Sequence, residues 1–273
     1  MNTAEKVRII SWSGGKDSTA TIILAHELGI PIDLIIICLV WFDKKRGIYG
    51  DSLKKLDWIF NYAKPLFESW GYPVEIVTSD KDYLHYFYKV RQKSEKHPEN
   101  IGKYYGYLMG GACVMQEEKV APIRRYIREN YTRKKIPYEE IVGICADEPE
   151  RIERMLKRKN QRSLLVERKV PQAGALQICK SYNLLSPTYG TQRKRDGCWF
   201  CPNQKIPELA ELKLTRPDLW AELKLLSKVE NTVARGFKYG ETFDEIEAQV
   251  DYYIENPPAE QLSLFDDYIY EEV

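Results

Sequence analysis

The chain has 273 residues, 44% hydrophobic and 30% charged, with a formal net charge of +1. That suits a soluble globular protein with one large α/β domain, or one domain with a smaller C-terminal attachment. The apolar run from Leu34 to Phe42 is far shorter than the roughly 20 residues of a membrane span, and the polar start through Lys6 leaves no signal-peptide core, so a cytoplasmic protein with no membrane partner is expected.

Charge is unevenly distributed. Between Lys119 and Lys169 there are 15 Lys and Arg against 8 Asp and Glu, whereas Glu241 to Val273 holds 11 acidic residues and no Lys or Arg. A basic middle points to an anionic ligand, and solvated helix faces account for the same pattern. In a reducing compartment the six cysteines do not form a disulfide framework, so metal binding, redox chemistry and core packing stay open.

In chain order, Val7 to Trp12 predicts a buried strand followed by Gly-Gly, and Ser18 to Leu28 a helix stopped by Gly29 and Pro31. Asp33 to Phe42 predicts a second strand, covered on both faces as in a parallel sheet. Leu53, Leu56, Ile59, Phe60, Ala63 and Phe67 have helical spacing across Ser52 to Trp70. Pro73 to Thr78 reads as a third strand and Tyr83 to Gln92 as helical. Lys119 to Asn130 predicts a helix with Pro122 in its first turn, Glu140 to Cys145 a fourth strand, and Glu150 to Lys159 a charged helix. Alternating strands and helices imply an open, mostly parallel sheet with helices on both faces. The expected divisions are a nucleotide-binding α/β domain over 1–165, a mostly helical region with a cysteine cluster over 166–255, and an acidic tail over 256–273.

The segment Ser11-Trp12-Ser13-Gly14-Gly15-Lys16-Asp17-Ser18-Thr19 joins the first strand to the first helix. Two glycines allow a tight bend and bring amide N–H groups near an anion. Ser18 and Thr19 lie at a helix start, where unpaired amides favour phosphate. Lys16 adds positive charge. Beyond the carboxyl end of a parallel strand, this is where ligands bind in open α/β sheets. The spacing matches neither G-x-x-x-x-G-K-[ST] nor G-x-G-x-x-G.

S-G-G-x-D-S after the first strand resembles the PP-loop ATP pyrophosphatase superfamily, and more closely its phosphoadenosine phosphosulfate reductase-like branch. Asp43 stands where that branch carries Asp-Thr-Gly, without the Thr-Gly. Cys113 followed by Lys119, Pro122 and Ile123 resembles its Cys-Thr and Leu-Lys-x-x-Pro. Gly143-Ile144-Cys145-Ala146-Asp147-Glu148 with Arg151 resembles its Gly-Ile-Arg-x-x-Glu-x-x-Arg. The resemblance spans roughly residues 5 to 205 and implies an adenine nucleotide alpha hydrolase-like fold. It further implies ATP or a related adenine nucleotide held by Ser11, Ser13, Gly14, Gly15, Lys16, Asp17, Ser18, Thr19 and Asp43. Mg2+ accompanies the ATP. Lys16, Asp17, Lys119 and Arg151 are the implied catalytic residues, with Lys119 and Arg151 facing the anionic part of the ligand.

Cys198-Trp199-Phe200-Cys201 is a C-x-x-C pair able to reach one metal from a tight turn. None of His26, His85 and His97 lies at ligand spacing from it, so the partners are sought among Cys113, Cys145 and Cys179, with Cys38 assigned to the core. The resemblance implies Cys113, Cys179, Cys198 and Cys201, with Cys145 in reserve, around a [4Fe–4S] cluster or Zn2+. The branch's C-terminal Glu-Cys-Gly-Leu-His is missing, since no cysteine follows Cys201.

The expected activity is cleavage of ATP between its α- and β-phosphates to activate a substrate, for sulfur transfer to a nucleic acid or a small molecule. The alternatives are sulfonucleotide reduction and a nucleotide-sensing, DNA-associated binding protein without turnover. Gln261-Leu262-Ser263-Leu264-Phe265 resembles the peptide by which bacterial proteins hold the DNA sliding clamp, which would make the clamp a partner.

Overall fold

A computed structural model describes residues 6–108, 114–189, 197–234 and 236–257. Five parallel strands form the main sheet: β1 (Val7–Trp12), β2 (Leu34–Leu39), β5 (Val74–Thr78), β6 (Tyr138–Val142) and β7 (Gln161–Arg162), in the order β5-β2-β1-β6-β7. Side chains alternate across this sheet. Ile10, Trp12, Ile35 and Ile37 enter one buried cluster with Ala20 and Ile23 of helix α1 (Lys16–Glu27), while Ile9, Leu34 and Ile36 enter another with Ile127. A strand covered on both faces has no polar side to show, which explains the unbroken isoleucine run of β2. The strand expected over 33–42 leaves the sheet after Leu39; β3 (Trp41–Asp43) pairs antiparallel with β4 (Ile48–Tyr49) instead.

The helix expected over 52–70 is three joined pieces: α2 (Leu53–Trp58), a π turn (Ile59–Ala63) and α3 (Lys64–Ser69). Pro65 brings no amide, and the wider turn, in which Lys64 N–H donates to Ile59 O, accommodates it. After α4 (Tyr83–Phe87), helix α5 (Val114–Ile127) begins five residues earlier than expected, so Pro122 lies inside it rather than in its first turn. The carbonyl four residues before a proline loses its helical donor. At Glu118 that carbonyl accepts the Cys38 thiol, at 3.5 Å.

Strand β6 begins two residues earlier than expected and stops at Val142; helices α6 (Pro149–Leu156), α7 (Leu164–Glu167) and α8 (Gln172–Ser181) follow. Leu164, Leu165, Ala175, Cys179 and Leu184 join the core over α1. Packing therefore does not change at residue 165, where the sequence pattern does. The compact units are instead the described parts of Met1–Leu84 with Val114–Trp199, and of His85–Cys113 with Phe200–Val273.

In the second unit, α9 (Ile206–Thr215), α10 (Pro217–Ser227) and α11 (Phe243–Glu255) pack around Phe87, Tyr107, Trp220, Phe237 and Phe243. Glu247 accepts from Lys213, Trp220 Nε1 and Lys224. No described helix is long and apolar enough to cross a membrane.

Candidate functional site

The sheet order reverses between β1 and β6, so the loops after these strands open side by side; such a switch point is the usual ligand crevice. Gly14 takes φ +77°, a conformation open to glycine, and Gly15 caps α1 without a side-chain hydrogen bond. The bend is held by its own hydroxyls. Ser13 N–H donates to Ser18 Oγ at 3.1 Å, Gly15 N–H donates to Ser13 Oγ at 3.3 Å, and the Ser18 hydroxyl donates to Gly15 O at 3.1 Å. Lys16 N–H donates to the Tyr189 hydroxyl at 3.3 Å.

Lys16 Nζ sits 2.5 Å from Asp17 Oδ1 and 3.5 Å from Gln172 Oε1. Burial pulls the Lys16 ammonium down, but the Asp17 carboxylate more than offsets this and holds it above its ordinary value. From the β6 side, the Cys145 thiol reaches the same Asp17 oxygen at 3.2 Å. Burial first, then this carboxylate, pushes that thiol far up. Cys145 N–H donates to Glu148 Oε2, and Arg151 grips both Glu148 oxygens at 2.7 and 2.9 Å and also reaches Gly143 O at 3.3 Å. Arg151 is thereby tied into the loop that backs Asp17.

Beside Gly14 of the bend, the expected Lys119 stands with two charged residues that sequence reasoning missed, Asp51 and Lys55. Lys55 Nζ donates to Asp51 Oδ1 at 2.9 Å, both side chains being at most 3% exposed, and Lys119 Nζ lies 3.8 Å from the same oxygen. Burial alone would raise the Asp51 carboxyl; Lys119 and Lys55 outweigh it and keep the group below its ordinary value. Asp51 Oδ2 is buried, with no hydrogen-bond partner among the described residues. A Cβ on Gly14 would lie 2.7 Å from Lys55 Cε. The available signal was an Asp and a Lys four apart at a helix start, a spacing that ordinarily marks a solvated pair.

The other expected residues are distributed as follows. Ser11 lies in β1, in register with Ile36 and Val142. Thr19 Oγ1 is buried and accepts from Trp12 Nε1 at 3.0 Å. Asp43 accepts the amides of Lys45 and Arg46 and the Arg46 guanidinium, so it braces its own turn. Burial would raise its carboxyl, and these Arg46 and Lys45 contacts hold it below its ordinary value.

Cys179 is fully buried under the loop, its thiol donating to Lys16 O at 3.1 Å and pushed up to about 12 by burial. Cys198 is buried beside Trp199, whose indole donates to Tyr49 O at 2.8 Å; Cys201 is partly exposed. Cys113 and the Gln261–Phe265 peptide lie outside the described residues. Among the described residues, the one group of three ligand-type side chains whose donor atoms fall within 4.8 Å of one another is Asp17, Cys145 and Glu148. No protein-family model matches this chain, and no curated protein matches it in sequence.

Proposed function

We propose that the chain is a PP-loop enzyme of the adenine nucleotide alpha hydrolase-like fold, which cleaves ATP between the α- and β-phosphates to activate a substrate. The observation that carries the proposal is the Gly14-Gly15 bend at the head of α1, lying at the switch point of a parallel sheet with Lys16 on one side and Lys55 and Lys119 on the other. Such a bend offers amides and a helix start to a polyphosphate. The Asp51 group contributes one more positive charge than negative beside it.

The hydroxyl of Ser13 already occupies the Gly15 amide. A phosphate oxygen would take that amide over, and Lys16 would leave Asp17 for the β-phosphate. Asp17, a hard oxygen donor, suits the Mg2+ that accompanies ATP, whereas the Cys145 thiol does not. In the reaction a nucleophile on the substrate attacks the α-phosphorus. The bond to the α–β bridging oxygen breaks, and its electron pair leaves with pyrophosphate, whose charge the lysines stabilise. The activated adenylate is suited to sulfur transfer onto a nucleic acid or a small molecule. Among the described residues no three thiols converge, and no step here runs through a [4Fe–4S] cluster or Zn2+.

Calorimetry with MgATP tests the binding, and product analysis tests the bond broken. Wild-type protein should bind MgATP, and Lys16→Ala/Asp17→Ala should lose it. AMP and pyrophosphate support the proposal. Equal binding by both proteins, or ADP and phosphate as the products, would overturn it.

A further inference from the structure

Part of the basic run between Lys119 and Lys169 is paired in the fold. Arg124 pairs with Glu117, Arg125 with Asp80, Arg151 with Glu148, Lys157 with Glu153 and Arg162 with Glu139 and Glu167. A different stretch, in the second unit, keeps its charge uncovered. Residues 87–91 and 102–106 run antiparallel, joined by the Val90–Tyr104 bridge and by bonds from Arg91 N–H to Lys103 O, Tyr105 N–H to Lys89 O and Gly106 N–H to Phe87 O.

In this register Lys89, Arg91, Lys103 and Tyr105 share one face of the ladder. Lys89 Nζ lies 5.9 Å and Arg91 Cζ 5.8 Å from the Tyr105 ring centroid, and Tyr105 is 37% exposed. Arg91 stands directly across from Lys103, a like-charge pair that costs stability in a sheet. Among the described residues, neither Lys89, Arg91, Lys93 nor Lys96 has a carboxylate within ion-pair distance. Arg91, Lys93, Lys96 and His97 also line an open cleft of about 360 Å³ that holds one acid, Glu95.

We infer that this face binds single-stranded nucleic acid, a base stacking on Tyr105 while Lys89, Arg91 and Lys93 meet the flanking phosphates. An exposed ring framed by unpaired cations matches a strand whose bases are free to stack and whose backbone is anionic. A duplex hides its base faces, and membrane insertion calls for a broader apolar face than one half-exposed tyrosine offers. The inference does not depend on ATP chemistry at the bend.

The test is fluorescence anisotropy of the full chain with a labelled oligothymidylate of about 16 nucleotides, a length that fills a typical single-strand site. Tyr105→Ala should weaken binding about tenfold, and Tyr105→Phe should stay within about twofold of wild type. Lys89→Ala/Arg91→Ala should make the salt dependence shallower by about 1.4 logarithmic units per logarithm of salt, the value for two phosphate contacts on a single strand. Lys16→Ala/Asp17→Ala should bind the oligonucleotide like wild type, which separates this site from the bend. No oligonucleotide binding would overturn the inference, as would equal binding by Tyr105→Ala, by a matching duplex, or by phosphatidylserine vesicles with the same dependence on Lys89 and Arg91.

Discussion

Gly143 faces the backbone of Ser18 so closely that a Cβ there would lie 2.6 Å from the Ser18 amide nitrogen and 2.8 Å from the Asp17 carbonyl carbon. Neither contact is with a flexible side-chain end, so an added methyl must push the start of α1 away from β6. Gly143→Ala should therefore cost about 1–3 kcal/mol of stability, as overpacking does. It should also weaken MgATP binding by more than that loss of folded protein explains. Urea denaturation and a MgATP titration of the folded fraction check the two parts; unchanged nucleotide affinity would separate the loop's shape from its support.

The buried Asp51–Lys55 pair carries a second prediction. Removing one partner strands a buried charge, so Asp51→Asn should destabilise by about 3–5 kcal/mol. Replacing both with apolar residues of similar size should cost far less. The Asp51 carboxyl lies below its unfolded value. Its stabilising contribution is therefore present above the unfolded value and is lost as pH falls. Denaturant melts of Asp51→Asn and Asp51→Leu/Lys55→Met across the acid range check both statements; a double variant as unstable as the single one would contradict them.

Much of this architecture is legible in residue types. The isoleucines of β2 announce a strand covered on both faces, and the diglycine turn into α1 marks the bend. Four features are not legible, each for a physical reason. Lys55 and Asp51 are coded like a surface helix pair and are instead buried, next to Gly14 of the bend and Lys119 of α5. Pro122 reads as a first-turn residue because proline is tolerated there, whereas the helix passes through it and hands the Glu118 carbonyl to Cys38. The role of Gly143 depends on a contact with a residue 125 positions earlier. Finally, the second unit joins His85–Cys113 to Phe200–Val273. A boundary drawn along the chain separates segments that pack together.

In the second unit, Glu247 is the shared acceptor of Lys213, Trp220 and Lys224. Burial would raise its carboxyl, but these three donors bring it down to about 2 from 4.5. Its stabilising contribution is thus complete above about pH 4.5 and lost as pH falls towards 2. Lys224 is 44% exposed and screened by water, so Glu247→Gln should cost about 1–2 kcal/mol at neutral pH. The difference from wild type should shrink in acid. Thermal melts of the two proteins from pH 7 to 3 check this, and a gap that stays constant across that range would contradict it.

The Pro122 and Cys38 relationship yields a paired prediction on stability and reactivity. Alanine at 122 supplies an amide that competes with the Cys38 thiol for Glu118 O and removes a helix penalty of about 3 kcal/mol. Pro122 is itself buried, so lost ring packing offsets part of that gain. Pro122→Ala should raise stability by about 1–2 kcal/mol. Burial pushes the Cys38 thiol up to about 12 from 9.0, with Lys119 opposing. At neutral pH this leaves about a thousandfold less thiolate than an ordinary cysteine has. Iodoacetamide should therefore leave Cys38 unmodified in both proteins while it labels the partly exposed Cys201, and should modify Cys38 only in the unfolded chain. Peptide mass mapping reads the order; Cys38 reacting alongside Cys201 in folded wild-type protein would show that the β2 end is open to solvent.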